Sequence, residues 1–195
     1  MWALALLFAL LAAAGLAGLD LAVARYTATL PDGGTIWSRG TELLDLVVLK
    51  EISNFLLGAV LVLVAGLLLV LRATRPVGFA LLYIGLVQFV ATTVADLSKP
   101  PLGRVRPFEA VGGADLWFAG ANSFPSGHAA FYAGLFFPLI VLLPRWSPLL
   151  VLPPLFIAAA RVLEHDHYLS DVSASLALAA ALAAGLAFLA DKGRG

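Results

Sequence analysis

His167 and Asp171 stand four residues apart in the stretch Arg161-Val-Leu-Glu-His-Asp-His167-Tyr-Leu-Ser-Asp171. On a helix that spacing puts both side chains on one face. The carboxylate can then accept a hydrogen bond from one ring nitrogen and leave the other as a nucleophilic lone pair, the pairing of an activated nucleophile with its orienting group. A plainer reading has Ser170 or Asp171 capping the helix that follows. Metal binding through His165 and His167 fits poorly, because residues two apart face apart on a helix and no cysteine or third convincing ligand accompanies them.

Two further clusters carry charge or anion-binding potential. Lys99-Pro-Pro-Leu-Gly-Arg-Val-Arg106-Pro107 sets six residues between Lys99 and Arg106, Arg104 among them. A guanidinium offers a planar fork that matches phosphate oxygens, and a lysine adds a mobile point charge, so the two can clamp a dianion. The same run also suits a solvated loop at a headgroup surface. In Ser123-Phe-Pro-Ser126-Gly127-His128, Ser126 is a natural N-cap. A helix starting there exposes unpaired amides and the positive end of its dipole, Gly127 permits close backbone approach, and His128 falls in the first turn. Ordinary capping, with His128 reaching to an interface, fits the residues equally.

The elements that must position these clusters are set by an apolar solvent. Of 195 residues, 62% are hydrophobic and 12% charged, too few polar groups to cover a water-soluble surface. A bilayer core of roughly 30 Å takes about 20 apolar residues per helical crossing. Six runs qualify: Trp2 to Ala24, Phe55 to Leu71, Pro76 to Ala95, Gly127 to Leu143, Ser147 to Leu163 and Asp171 to Ala190. The expected fold is therefore all-α, a single polytopic membrane domain over 1–195. The small residues after the first run, Ala12 to Gly15, also suit a cleaved signal peptide. Its length and the lack of Lys or Arg at its start favour a retained span.

With the amino terminus inside, the inner side holds Arg72, Arg75, Arg145, Lys192 and Arg194 against one acid, Asp191, a balance of +4. The remaining seven basic and eleven acidic residues leave −4 on the outer side, as the positive-inside bias expects. All three clusters then sit at outer helix ends, facing the periplasm or exterior of an inner membrane. Between the first two spans, Pro31 to Gly34 reads as a turn. Thr41 to Asn54 reads as a short interfacial helix, with Leu43, Leu44, Val47 and Val48 at helical spacing. Gln88, Thr92 and Asp96 line up toward Lys99, which favours interhelical hydrogen bonding or a salt bridge steadying Lys99. Glu164 and Asp166 suit either the repulsion of excess anions or pairing with an arginine. Small residues four apart at Ser173, Ala177, Ala181 and Gly185 allow close helix approach, and Pro153 and Pro154 should kink the fifth span. Zero net charge and the absence of a basic patch argue against a nucleic-acid partner, and zero cysteines exclude disulfides and thiolate chemistry.

Taken in order, Lys, six residues, Arg-Pro, then Pro-Ser-Gly-His, then Arg, five residues, His, three residues, Asp resembles the signature of the type-2 phosphatidic-acid phosphatase superfamily, over Lys99 to Asp171. One departure is Ala160, where many members have Ser before the arginine. The resemblance implies that Lys99, Arg106 and Arg161 hold phosphate oxygens with Ser126 and the Gly127 amide. It makes His167 the nucleophile, Asp171 its orienter and His128 the acid, with no metal or other cofactor. Applied to a chain with almost no extramembrane mass, it implies a phosphatase whose lipid substrate keeps its tail in the bilayer. Undecaprenyl pyrophosphate, phosphatidylglycerol phosphate and phosphatidic acid are the candidate types. A lipid phosphotransferase would use the same motifs with a lipid or sugar acceptor, and a lipid or phosphate carrier would use the same helices without chemistry. Oligomeric state is not legible.

Overall fold

In the computed structural model, residues 1–30, 34–50, 52–110 and 116–193 are described. Among them every regular element is helical. The turn expected at Pro31 to Gly34 falls mostly outside these residues. Helices α1 (Trp2–Ala14) and α2 (Asp20–Thr27) are joined by a π-helical turn at Gly15–Leu19, where Gly18 takes φ 135°. Then come α3 (Gly34–Val47), α4 (Leu56–Val70), α5 (Arg75–Leu102), α6 (Gly127–Leu142), α7 (Ser147–Leu150), α8 (Leu152–Leu163) and α9 (Leu169–Lys192).

Four helical stretches are long and apolar enough to cross a bilayer: Trp2–Thr27, Arg72–Glu109, Pro144–Leu163 and Leu169–Lys192. Leu56–Val70 and Gly127–Leu142 are equally apolar but span 15 and 16 residues. At about 1.5 Å rise per residue each helix alone falls short of a full hydrocarbon core. Leucines on α1 and α4, such as Leu6, Leu10, Leu63 and Leu67, are more than half exposed, as a lipid solvent requires. The chain is a multi-pass membrane protein.

The core is built from small side chains. Ala91 of α5, Ala129 and Ala133 of α6, and Ala179, Ala180 and Ala183 of α9 are fully buried together with Val87 and Phe137. Phe8 of α1 stacks on Phe137 with ring centroids 6.2 Å apart, so the first apolar run is part of this core. The expected small-residue stripe on α9 is only partly the contact surface. Ser173 is buried, but a Cβ added at Gly185 would meet nothing within 4 Å, and the close approach runs along the alanines instead.

Several expected boundaries shift, each for a physical reason. Helix α5 does not stop at Ala95 but runs to Leu102, because Asp96 and Lys99 pair across one turn at 2.8 Å and neutralise one another. It ends at Gly103, in the left-handed region at φ 53°, whose amide donates to the Lys99 carbonyl at 2.8 Å. A Cβ there would lie 2.9 Å from the Gly120 nitrogen, so the position also excludes side chains sterically. The fifth run is interrupted beside its prolines: Pro153 and Pro154 have no N–H to give to the preceding turn, and α7 and α8 are divided at Val151, whose backbone stays in the right-handed helical region.

The helix expected over Thr41 to Asn54 lies earlier, at Gly34–Val47, and faces differently. Leu44 and Val48 pack against Phe131, Tyr132 and Ile157, whereas Leu43 and Val47 are 63% and 70% exposed. The polar Thr41 and Asp45 are buried. Trp37 meets Phe156 of α8 at 5.2 Å between centroids, which seats α3 on the bundle. The line of polar residues on α5 is an interhelical network. Gln88 donates to the Asn54 carbonyl at 3.2 Å and to Thr92 at 3.1 Å, and Asn54 donates to Asp96 at 3.4 Å.

Candidate active site

Helix ends bring the three sequence clusters together. Ser126 caps α6, its hydroxyl accepting from the Ala129 amide at 3.4 Å, and its own amide donates to the Asp171 carbonyl at 3.2 Å. Ser175 of α9 donates to the Ser126 carbonyl at 2.9 Å, completing the clasp between the starts of α6 and α9. Lys99 reaches the same place from the end of α5. A Cβ on Gly127 would fall 2.9 Å from its ammonium, so the cation lies directly against the start of α6.

The α8–α9 connector supplies the histidine. His167 is 3% exposed, its amide donating to the Arg161 carbonyl at 3.1 Å, and its Nδ1 stands 3.5 Å from Asp171 Oδ2. That separation is an electrostatic pairing at the limit of hydrogen bonding, and Nδ1 makes no closer bond. Nε2 is thereby the free nitrogen. Burial lowers the basicity of His167; Asp171 opposes that, and the charges of Arg161 and Arg106 add to it.

Asp171 caps α9, as one of the sequence readings has it, and also faces His167. Its Oδ2 accepts from the Tyr168 amide at 2.8 Å, capping α9, and from the Ser123 hydroxyl at 2.5 Å, while it faces His167. Its Oδ1 is taken by Arg104. Arg104 was legible only as the middle cation of its run, yet it is the buried one, at 2% exposure. It also binds Asp20 of α2 at 2.6 Å and the Ser170 hydroxyl at 2.6 Å, between the rings of Trp117 and Tyr168, 4.7 and 4.2 Å from their centroids. Asp20 in turn accepts from the Ser170 amide at 2.8 Å.

Arg106 and Arg161, 55 positions apart in sequence, meet on one carboxylate. Arg106 Nη1 lies 3.3 Å from Asp166 Oδ1, and Arg161 Nη2 pairs with Asp166 Oδ2. Arg161 also binds Glu164 at 2.9 Å, and its Nε is buried without a partner among the described residues. Of the two readings of Glu164 and Asp166, pairing with arginine is the one found. Burial raises the Glu164 carboxyl, against the opposing charge of Arg161.

His128 is tied to a residue outside the motifs. Its Nε2 lies 3.1 Å from Asp45 Oδ2 on α3, and the Tyr132 hydroxyl donates to Asp45 Oδ1 at 2.7 Å. Burial works to raise the Asp45 carboxyl, but the hydrogen bonds from His128 and Tyr132 outweigh it and hold it below the ordinary carboxylate range. Lys50, just beyond α3, is buried over the Phe131 ring; burial lowers its basicity and Asp45 opposes that. Arg161 acts electrostatically on both His128 and His167, linking the second and third clusters. Among the described residues no three His or carboxylate side chains gather as a metal site requires.

This combination of a helical membrane bundle and three converging motifs defines a family. Residues 76–193 match the family model of the PAP2 superfamily, and the chain belongs to that superfamily. In fold it is similar to the crystal structure of the first transmembrane PAP2-type phosphatidylglycerolphosphate phosphatase from Bacillus subtilis, with a TM-score of 0.58 and 21% identity over 97% of this chain and 95% of that one. No curated protein sequence matches the chain.

Two outcomes follow from the buried charges. Arg104→Met leaves Asp20 and Asp171 buried without their cation and should cost about 3 to 5 kcal/mol. In detergent its thermal midpoint should fall well below that of Arg106→Met, whose side chain is a quarter exposed; equal midpoints would remove Arg104 from this role. Because burial depresses His167, its ring stays neutral as pH falls past the ordinary imidazole value of about 6.5. NMR titration of isotope-labelled histidine, assigned with His167→Ala, should show it protonating below that value.

Proposed function

We propose that the chain is a membrane lipid phosphatase that removes a phosphate from a lipid phosphomonoester or pyrophosphate through a phosphohistidine. One observation carries the reading: Arg106 and Arg161 both hold the Asp166 carboxylate, so two guanidiniums from distant parts of the chain are close enough to share one anion. The buried, unpartnered Nε of Arg161 is a further donor suited to an oxyanion.

In this mechanism Lys99, Arg106 and Arg161, with Ser126 and the Gly127 amide, hold the phosphate oxygens. His167 Nε2 attacks phosphorus in line. The N–P bond forms as the P–O bond to the lipid breaks, and His128 gives its proton to the departing oxygen. Asp171 orients His167 and stabilises the positive charge that the phosphorylated ring carries. Water then attacks phosphorus, His128 takes back a proton, and the P–N bond breaks to release phosphate and neutral His167. Catalysis of this kind rests on positioning and on cations arranged around the equatorial oxygens before reaction.

The substrate is a lipid because the clusters lie at helix ends in a chain with little mass outside the bilayer. Undecaprenyl pyrophosphate, phosphatidylglycerol phosphate and phosphatidic acid are the proposed types. Six crossings of an inner membrane, with the amino terminus inside and the site on the outer side, match the charge distribution.

Purified protein in detergent should release phosphate from at least one of these lipids, and His167→Ala should lower turnover by roughly 1,000-fold or more, as expected for loss of the nucleophile. Rapid quenching with phosphate-labelled lipid should trap an acid-labile, alkali-stable phosphoprotein in the parent alone. Full turnover by His167→Ala would end the proposal.

A further inference from the structure

The contact between His128 and Asp45 joins residues 83 positions apart, and Asp45 lies outside the family-matched residues 76–193. Helix α3 has leucines and valines to offer the core, yet it leaves Leu43, Leu46 and Val47 exposed and buries Asp45 to 7%. Leu44 of the same helix and Val48 just beyond it pack into the bundle, so the carboxylate is buried beside apolar side chains. A buried carboxylate is tolerated only where hydrogen-bonded partners replace water, and both oxygens of Asp45 have them. Oδ2 meets His128 Nε2 at 3.1 Å, and Oδ1 accepts from the Tyr132 hydroxyl, one turn along α6, at 2.7 Å. Tyr132 is itself fully buried, so the carboxylate is fixed by a rigid neighbour. The arrangement parallels that of Asp171 and His167, one carboxylate behind each imidazole.

We infer that Asp45 is a positioning residue for His128, holding Nε2 so that Nδ1 is the nitrogen presented to the leaving oxygen, and stabilising the protonated ring. The inference rests on the phosphatase reading above and deepens it by making α3 a working part of the site. In the first step the Nδ1 proton passes to the leaving oxygen as the P–O bond breaks and the His167 N–P bond forms. In the second, Nδ1 takes a proton from water as the new O–P bond forms and the N–P bond breaks. Asp45 stays ionised throughout and takes no part in the bonds made and broken.

A group that acts through the acid matters in proportion to how badly the leaving group needs a proton. An alkoxide leaving from phosphatidic acid needs one, whereas p-nitrophenolate leaves without help. Asp45→Asn, which keeps the shape and loses the charge, should therefore lower kcat/KM, which reports the leaving-group step and not the hydrolysis that follows, by about 10- to 100-fold on phosphatidic acid in mixed micelles. On p-nitrophenyl phosphate it should change kcat/KM less than about threefold. Tyr132→Phe, which removes one hydrogen bond to Asp45 and keeps the ring, should show a smaller loss with the same substrate bias. It also provides the test if Asp45→Asn does not accumulate as folded protein. Equal loss on both substrates, the mark of a merely structural role, or no loss on either, would overturn the inference while leaving the phosphatase reading intact. A parent that hydrolyses neither substrate, with His167→Ala indistinguishable from it, would overturn both.

Discussion

The site depends on a charge that cannot be left alone: the Arg104 guanidinium, taken out of water and out of lipid among helix ends. Removing such an ion from water costs several kcal/mol unless opposite charge and hydrogen bonds replace the solvent. Asp20, Asp171 and Ser170 do so, with the faces of Trp117 and Tyr168 closing the remaining sides. Satisfying Arg104 requires three separate pieces of chain to arrive together: the start of α2, the connector after α5 and the first turn of α9. Once they do, Asp171 has one oxygen fixed and the other directed at His167, the Tyr168 amide and Ser123. The placing of the carboxylate that faces His167 thus follows from a neutralisation problem solved one residue away.

A second constraint is the shortage of polar surface in a membrane bundle. Few polar groups are available, so each is used more than once. Ser126 caps α6 and joins it to α9; Asp171 caps α9, faces His167 and balances Arg104; Asp166 bridges two arginines. Such sharing puts Lys99 beside the positive start of α6 and brings the guanidiniums of Arg106 and Arg161 onto one carboxylate.

Much of this was legible in the sequence, and what was not has identifiable causes. The six apolar runs reappear as helical segments, because an unbroken apolar run in lipid has no other way to satisfy its backbone. His167 and Asp171 were readable because their spacing is local. Arg104 was not, since composition does not reveal which of three neighbouring cations turns inward; its partners Asp20, Ser170 and Asp171 are all distant in sequence. The end of α5 was set too early, because Asp96 and Lys99 look like the edge of a span until they are paired. Asp45 was hidden for a further reason. Apolar neighbours suggested an interfacial helix, while the buried face of Leu43-Leu44-Asp45-Leu46-Val47-Val48 joins the lone acid to Leu44 and Val48 and leaves Leu43 and Val47 outside.

The central claim is that cations and helix ends drawn from distant parts of the chain surround a single tetrahedral anion within bonding reach of His167. A structure determined with orthovanadate, which takes the geometry of the phosphoryl transition state, tests it most directly. The account predicts vanadium bonded to His167 Nε2, with its oxygens on Arg106, Arg161, Lys99 and the Gly127 amide. Vanadate bound away from these groups, or a His167 ring out of reach of the ion they hold, would contradict it.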